Sequence, residues 1–336
     1  MTKSCKDGVE KMRTRKQERA SAERNGCKQE KAENTCFDDL YEQLTRNPAL
    51  EAVKHLQKLA QGDPSAVGFR TGFDFDEIIM GLQPGDLFVL AARPSIGKTS
   101  LMLNIATNIA LGNERIPIGI FSFETSTRAV IIRMLSSLTR ISFTDFLKNR
   151  VSKEQWCKVL DASNRIHEAQ IVIDDTGEMD ISELRVKARL MRSRYGVQAI
   201  FIDYLQLIRD SRRNSCREWE ITEISHSLKA MARELAIPVI VLVQLSRQAD
   251  CQVKPTLSSI RESGGVEQVA DMIAILHRCR KDFSYENEPL SAELNIAKNR
   301  RGSCGTVNLK FFPQYTLFEN APQGSEKKVN RSGRTI

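Results

Sequence analysis

The sequence predicts an α/β fold: a mostly parallel β-sheet with helices on both faces and a β-meander near its C-terminal end. Three observations predict it. From about residue 65, short apolar segments alternate with segments of helical periodicity. A glycine-containing loop joins the first apolar segment to a long helix, and late in the chain the helical pattern gives way to strands. Apolar strands separated by helices are typical of parallel sheets that are buried on both faces.

Length and composition exclude several classes of protein. The 336 residues suffice for one large domain or two ordinary ones, and 41% hydrophobic with 27% charged residues excludes a wholly disordered or fibrous chain. The longest apolar run, Ile237–Val243, is far shorter than the roughly 20 residues that span a bilayer. The N-terminus is charged and lacks the apolar segment of a secretory signal. We therefore expect a cytoplasmic protein without a membrane segment, whose eight cysteines are reduced thiols.

The net charge of +8 is concentrated at the two ends of the chain. Residues 1–35 carry ten Lys or Arg against six Asp or Glu, and residues 322–336 carry four against one, which leaves +1 for the residues between. Both ends have few large apolar side chains, so we predict disordered basic segments over 1–35 and 321–336. Between them we expect a helical linker over 36–64 and one domain over 65–320. A nucleic-acid site in that domain would need a local positive surface.

The elements follow in order along the chain. Two helices precede the domain, separated at Asn47-Pro48, and their apolar residues recur at helical spacing: Phe37, Leu40, Tyr41, Leu44, Leu50, Val53, Leu56 and Ala60. The predicted strands are Asp86–Ala91, Ile118–Phe123, Ile171–Ile173, Gln198–Ile202, Pro238–Val243, Met272–Leu276, Glu293–Lys298 and Thr306–Phe311. The predicted helices include one with Leu101, Ile105 and Ile109, and others over Glu183–Arg194, Trp219–Leu235 and Val266–Asp271.

The loop after the first predicted strand fits the phosphate-binding pattern G-x-x-x-x-G-K-[ST], with Ala in place of the first Gly. Its residues are Ala92, Arg93, Pro94, Ser95, Ile96, Gly97, Lys98 and Thr99. In such a loop, backbone N–H groups and a helix N-terminus face a polyphosphate, the lysine reaches the β and γ oxygens, and the hydroxyl binds Mg²⁺. A plain turn that ends in a helix cap is the alternative. The strand–loop–helix context favours the phosphate site.

Three more polar side chains follow apolar strands. Asp203 follows the strand Gln198–Ile202, at the sheet edge where ligands of open α/β sheets bind, and we expect it to order Mg²⁺. Glu124 could polarise the attacking water as a general base, or it could merely cap a helix. Gln244 could sense the γ-phosphate, although its position after a strand is equally compatible with a structural role.

The chain resembles the ATPase domain of DnaB-type replicative helicases in a series of segments that occur in the order of that family: TGFDFDEIIMGLQPGDLFVLAARPSIGKTS, FSFE, IFIDYLQLI, VQLSRQ, IRESGGVEQVADMI and AKNRRG. The resemblance covers roughly residues 65–320. It implies a RecA-like P-loop ATPase fold, with ATP as substrate and Mg²⁺ as cofactor. It assigns Lys98 and Thr99 to the nucleotide loop, and it implies a catalytic carboxylate at Glu124, a metal-ordering carboxylate at Asp203 and a polar sensor at Gln244.

The resemblance also implies roles for two segments that the residues alone leave open. Arg261, Glu262 and Gly264 match a loop that lines a central channel and grips single-stranded DNA, where the residues alone indicate only a flexible glycine turn. Lys298 and Arg300 follow an apolar strand, where they could form a solvated charged turn. In the family, the matching side chains reach the ATP site of the neighbouring subunit, and an arginine supplied in this way makes hydrolysis depend on assembly.

We therefore expect an ATP-dependent replicative DNA helicase, a homo-oligomer and by resemblance a hexameric ring, which translocates 5′ to 3′ on single-stranded DNA. Its further partners would be a primase or a helicase loader. Only about 65 residues precede the expected ATPase domain, so we expect the N-terminal collar domain of the family to be missing. Two alternatives stay open: a RecA-like recombinase or other ATPase of this fold, and a DnaB-like regulator that does not unwind DNA.

Overall fold

The computed structural model describes residues 48–63, 66–210, 216–245, 254–260, 264–278 and 288–322. The chain divides into two compact units, residues 1–66 and 67–336. In the first unit, helix α1 (Pro48–Ala60) begins at the predicted proline. The expected helix from Phe37 to Leu44 and both expected disordered ends lie outside the described residues, apart from 321 and 322. The assignment of residues 36–64 to a linker stays a prediction.

The second unit is built on one nine-stranded sheet. Its strands are β1 (Leu87–Ala92), β2 (Ile118–Ser122), β3 (Ile171–Asp174), β5 (Ala199–Asp203), β7 (Val239–Gln244), β8 (Met272–His277), β9 (Leu290–Asn299), β10 (Gly305–Phe312) and β11 (Leu317–Asn320). They lie in the order β11-β10-β9-β8-β1-β7-β5-β2-β3. The six neighbouring strands β8, β1, β7, β5, β2 and β3 run parallel to one another. Strands β9, β10 and β11 continue the sheet beyond β8, and each pairs antiparallel with the strand before it. Two short strands, β4 (Met179–Asp180) and β6 (Ile208–Arg209), form a separate ribbon.

Helices cover both faces of this sheet. They are α2 (Asp76–Ile79), α3 (Lys98–Leu111), α4 (Thr127–Thr139), α5 (Phe143–Leu147), α6 (Lys153–Glu168), α7 (Ile181–Tyr195), α8 (Arg217–Leu235) and α9 (Gly264–Val269). The central strand β1 supplies alternate residues to two separate cores: Phe88 and Leu90 pack with α3, and Leu87 and Val89 pack with α8. Every residue of β1 is therefore buried, which explains its uninterrupted apolar sequence.

The predicted fold class is confirmed, with three local differences. The predicted helix Val266–Asp271 is instead Gly264–Val269, because Asp271 turns inward as a buried acceptor for the backbone N–H of Leu87. The meander contains a third strand, β11, whose four residues are too few for a periodic signal. Several helices that the pattern did not place, including α4 and α6, fill the connections. Within the described residues, we find no helix with the length and apolar character needed to cross a membrane.

Candidate nucleotide-binding site

The predicted phosphate-binding loop, residues 92–99, lies at the carboxyl end of the central strand β1. Ala92 ends the strand, and Lys98 begins α3 with Gly97 in the N-cap position. Two residues of the loop have left-handed backbone, Ser95 at φ 63° and Gly97 at φ 108°. Gly97 also lies against the meander, where an added Cβ would be 3.0 Å from the Phe318 ring. A glycine is therefore required here for both backbone conformation and space.

We expect Gly97→Ala to lower nucleotide affinity by about tenfold or more, because left-handed backbone costs a non-glycine residue roughly 1–2 kcal/mol and the methyl group must displace Phe318. The matched control is Gly196→Ala, which imposes similar strain at φ 67° but meets no atom within 4 Å. Titration with a fluorescent ATP analogue and a thermal melt measure both effects. Equal loss of affinity in the two variants would contradict the loop geometry.

A buried carboxylate lies next to this loop, in contact with its last residue, Thr99. Asp203 ends β5 and is 2% exposed. Its Oδ2 accepts a hydrogen bond of 2.8 Å from the Thr99 hydroxyl, whereas its buried Oδ1 has no hydrogen-bond partner among the described residues. Carboxylate and hydroxyl oxygens are the ligands that Mg²⁺ prefers, and an unpartnered buried oxygen would be satisfied by such an ion. Thr99 and Asp203 therefore fit a magnesium site.

Lys98 provides a positive charge close to the two carboxylates Asp203 and Glu124. Its Nζ lies over the ring of Tyr204, 4.7 Å from the centroid. Burial lowers the pKa of Lys98, while the charges of Asp203 and Glu124 oppose that shift. Burial likewise raises the pKa of Asp203, while Lys98 and the Thr99 hydrogen bond lower it. The opposite charges therefore stabilise each other's ionised forms in a site that is largely removed from water.

Strand pairing brings the other two predicted side chains to the same edge of the sheet. Ser122 of β2 pairs with Asp203, so Glu124 follows two residues beyond that pair. The Ser122 hydroxyl donates to the carbonyl of Thr125 at 2.6 Å, which closes the turn that presents Glu124. Gln244 ends β7, where it pairs with Ala92 at the start of the loop. The loop, Glu124, Asp203 and Gln244 thus lie together, as expected for carboxyl ends of parallel strands.

The structure adds two residues to this edge that the sequence interpretation missed. Arg133 on α4 is close enough for its charge to lower the pKa of Asp203. The only trace of this role in the sequence is that Arg133 is a single charged residue within the apolar run Val130–Leu135. Gln206 donates through Nε2 to the carbonyl of Gln244 at 3.2 Å, and it thereby holds the end of β7. No sequence pattern distinguishes Gln206 from a surface glutamine.

The basic turn, residues 298–301, lies at the opposite edge of the sheet. Lys298 pairs with Ile273 near the start of β8, and Arg301 binds Asp86, which immediately precedes β1, at 2.6 Å. Because β1 separates Asp86 from the phosphate-binding loop, the turn lies about 20 Å from the loop of its own chain. Of the predicted DNA-binding residues, Arg261 and Glu262 lie outside the described residues, and Gly264 begins α9.

Residues 68–320 match the model of a protein family, the DnaB-like helicase C terminal domain. Among curated proteins, the chain is 40% identical over 279 residues to replicative DNA helicase DnaB of Geobacillus stearothermophilus, covering 81% of this chain and 60% of that protein. It is 38% identical over 285 residues to replicative DNA helicase DnaC of Bacillus subtilis (strain 168), covering 83% and 62%. The chain thus spans about three fifths of the length of these relatives.

Two solved structures of similar proteins have the same fold as this chain. One solved ATPase domain superposes with a TM-score of 0.74 at 33% identity, covering 82% of this chain and 98% of that one. A DnaB-like replicative helicase, solved in a study of its interactions with primase, superposes with a TM-score of 0.71 at 33% identity, covering 80% and 66%. Both structures therefore share the architecture that surrounds the site.

Proposed function

The chain belongs to the family of DnaB-like helicases through their C-terminal domain, and from this we propose that it is the ATP-hydrolysing motor of a replicative DNA helicase. The observation that carries the proposal is the distribution of the site over two sheet edges. The phosphate-binding loop and the carboxylates occupy one edge, and the basic turn occupies the other, about 20 Å away. Such an arrangement suits a motor whose sites are completed by neighbouring subunits.

At the first edge, each side chain has a position suited to one part of phosphoanhydride hydrolysis. The loop N–H groups and Lys98 would bind the β and γ phosphate oxygens. Thr99 and Asp203 would hold Mg²⁺, which supplies charge neutralisation when it is bound. Glu124, exposed in its turn, would take a proton from the attacking water. Gln244, held by Gln206 beside the loop, would contact the γ-phosphate.

At the second edge, Lys298 and Arg300 would serve the nucleotide of an adjacent subunit. An arginine that reaches across an interface stabilises the charge that develops on the transferred phosphoryl group. Their distance from the loop of their own chain supports this role in trans. A closed ring of identical subunits satisfies the requirement at every interface, and six is the number that the family resemblance implies. A primase or loader as further partner, and a cytoplasmic location, belong to the same proposal.

Arg261, Glu262 and Gly264 would line the central channel and contact the DNA backbone. We expect Arg261→Ala to weaken single-strand binding about equally for all sequences, because a phosphate contact carries no base information. The slope of log K against log salt should fall by about 0.7, the value for one phosphate contact on a single strand. Fluorescence anisotropy with homopolymers of different bases at several salt concentrations measures both quantities. A strong change in base preference would contradict the assignment.

Unwinding of a forked duplex with ATP, together with native mass measurement of the oligomer, tests the whole proposal. We expect a ring that opens the fork only when a 5′ single-stranded arm is present. Filaments that exchange strands would instead indicate a recombinase. ATP hydrolysis without unwinding by an intact ring would indicate a regulator of a full-length helicase, and it would contradict the motor proposal.

A further inference from the structure

The basic turn is held by a buried carboxylate that the proposed mechanism does not use. Asp271 immediately precedes β8 and is buried. Its Oδ2 accepts hydrogen bonds from the N–H of Leu87 at 2.8 Å and from Lys229 Nζ at 2.5 Å. Its main-chain carbonyl accepts from the N–H of Arg300 at 2.9 Å. One residue therefore joins the starts of β1 and β8, helix α8 and the arginine of the turn.

Two different contacts tie Arg300 to Asp271, and they differ in strength. The main-chain hydrogen bond fixes the position of the Arg300 backbone. The side-chain contact, Arg300 Nη1 to Asp271 Oδ1, is long at 3.4 Å, and the arginine side chain remains 45% exposed. Lys229, with a side chain only 13% exposed, supplies the close countercharge that a buried carboxylate requires. The guanidinium of Arg300 can therefore leave Asp271 without leaving an uncompensated buried charge.

Asp271 also faces a pair of like charges. Lys298 Nζ donates to the carbonyl of Glu267, and Arg300 Nη2 donates to that of Gln268, both in the last turn of α9. Burial lowers the pKa of Lys298 and the positive charge of Arg300 lowers it further, whereas the negative charges of Asp271 and Glu267 oppose the shift. Removal of the carboxylate would therefore leave the repulsion between these two cations less compensated, and would remove the side-chain contact of Arg300 with Asp271.

We propose that Asp271 is a positioning residue for Arg300 and acts on the ATP site of the neighbouring subunit. The inference rests on the proposed function, because it requires Arg300 to work in trans. Asp271 lies at the start of β8, and the phosphate-binding loop lies at the far end of the adjacent strand β1, about 20 Å away. A substitution at Asp271 therefore leaves the nucleotide loop of its own subunit intact.

The test is Asp271→Asn, which removes the charge but keeps an acceptor for the Leu87 N–H. Lys229 loses its countercharge in this variant and keeps the Gly85 carbonyl as a hydrogen-bond acceptor. We expect ATP affinity close to that of the parent and turnover lower by about 10- to 100-fold, the effect of a misplaced catalytic group. Subunit mixing identifies the affected site. A mixture with Lys98→Ala subunits should recover turnover, because the intact loop of an Asp271→Asn subunit meets the intact basic turn of a Lys98→Ala subunit. A mixture with Arg300→Ala subunits should not recover turnover.

The reference mixture, Arg300→Ala with Lys98→Ala, tests the role of Arg300 in trans separately from the role of Asp271. If the reference mixture fails to recover, the role of Arg300 in trans is wrong. If the reference recovers but the mixture of Asp271→Asn with Lys98→Ala does not, only the inference about Asp271 is overturned. Parental turnover in folded Asp271→Asn would overturn it as well.

A matched control is Asp86→Asn, which removes the other buried carboxylate of this region, the partner of Arg301. We expect it to keep turnover within about threefold of the parent, since Arg301 has no assigned role at the interface. An equal loss in both variants would mean a general loosening of the turn and would overturn the inference. If Asp271→Asn does not fold, Asp271→Glu replaces it, keeping the charge but displacing the carboxylate, and the same mixtures decide.

Discussion

Lys98→Ala is expected to lower ATP turnover by at least about 10³-fold. The Lys98 ammonium lies over Tyr204, beside the carboxylates Asp203 and Glu124, at the point where the loop would present phosphate oxygens. Its loss removes charge neutralisation in a site that burial has largely separated from water. Phosphate release at saturating ATP measures turnover. Turnover within a few-fold of the parent in the folded variant would show that the nucleotide site is assigned to the wrong loop.

The same variant has a pH-dependent effect on stability. Burial raises the pKa of Asp203 above its usual value, and Lys98 opposes that shift. Without Lys98 the folded-state pKa of Asp203 rises further. A carboxyl group with a raised folded-state pKa destabilises the fold only at pH values at which the same group is ionised in the unfolded chain. The deficit in melting temperature relative to the parent should therefore shrink as the pH falls from about 8 to about 5. Lys158→Ala, at an exposed position of α6, should change neither turnover nor this profile.

Arg300→Ala is expected to retain ATP binding and to lose about 10³- to 10⁵-fold in turnover, the usual contribution of an arginine supplied in trans. The loop and Asp203 are untouched at the other edge of the sheet, so nucleotide affinity measured by titration should stay near the parental value. Arg301→Ala is the matched control, because the Arg301 guanidinium binds Asp86 of its own subunit. It should keep most of the turnover.

Mixing the two inactive variants distinguishes a role in trans from a role in cis. In rings assembled at random from equal amounts of Arg300→Ala and Lys98→Ala, about a quarter of the interfaces join an intact loop to an intact arginine. Turnover should therefore return to a substantial fraction of the parental rate. A cis role predicts no recovery, since every subunit carries its own defect. Absence of recovery, with mixed rings verified by native mass spectrometry, would contradict both the trans role and the ring.

Features that depend on near neighbours in the chain were accessible from the sequence. The loop before α3 is defined by eight consecutive residues, and the confirmed strands are uninterrupted apolar runs because both of their faces are buried. Asp203, Glu124 and Gln244 each follow such a run. Parallel strands bring their carboxyl ends to one edge, so the predicted fold class already implied that these side chains lie together.

Features that depend on long-range pairing were not accessible. Arg133 lies 70 residues before Asp203 in the chain, yet its charge acts on that carboxylate in the fold, and Asp271 serves the basic turn only because β8 lies between β1 and β9. These contacts join residues that are distant in the chain. No local preference of the backbone or of side chains encodes them.

The position of the basic turn shows the difference most clearly. In the sequence, Arg300 and Asp203 are each preceded by a predicted strand, and no local feature tells which way either strand runs in the sheet. The sequence by itself predicted the phosphate-binding loop and the carboxylates, and it determined the basic character of this turn. Only the tertiary structure decided which edge each one occupies: β9 runs antiparallel to β8, so the end of β9 meets the beginning of its neighbours. Strand direction is settled by hydrogen bonding between distant segments, and that reversal places Arg300 about 20 Å from its own nucleotide loop, where a neighbouring subunit would be served.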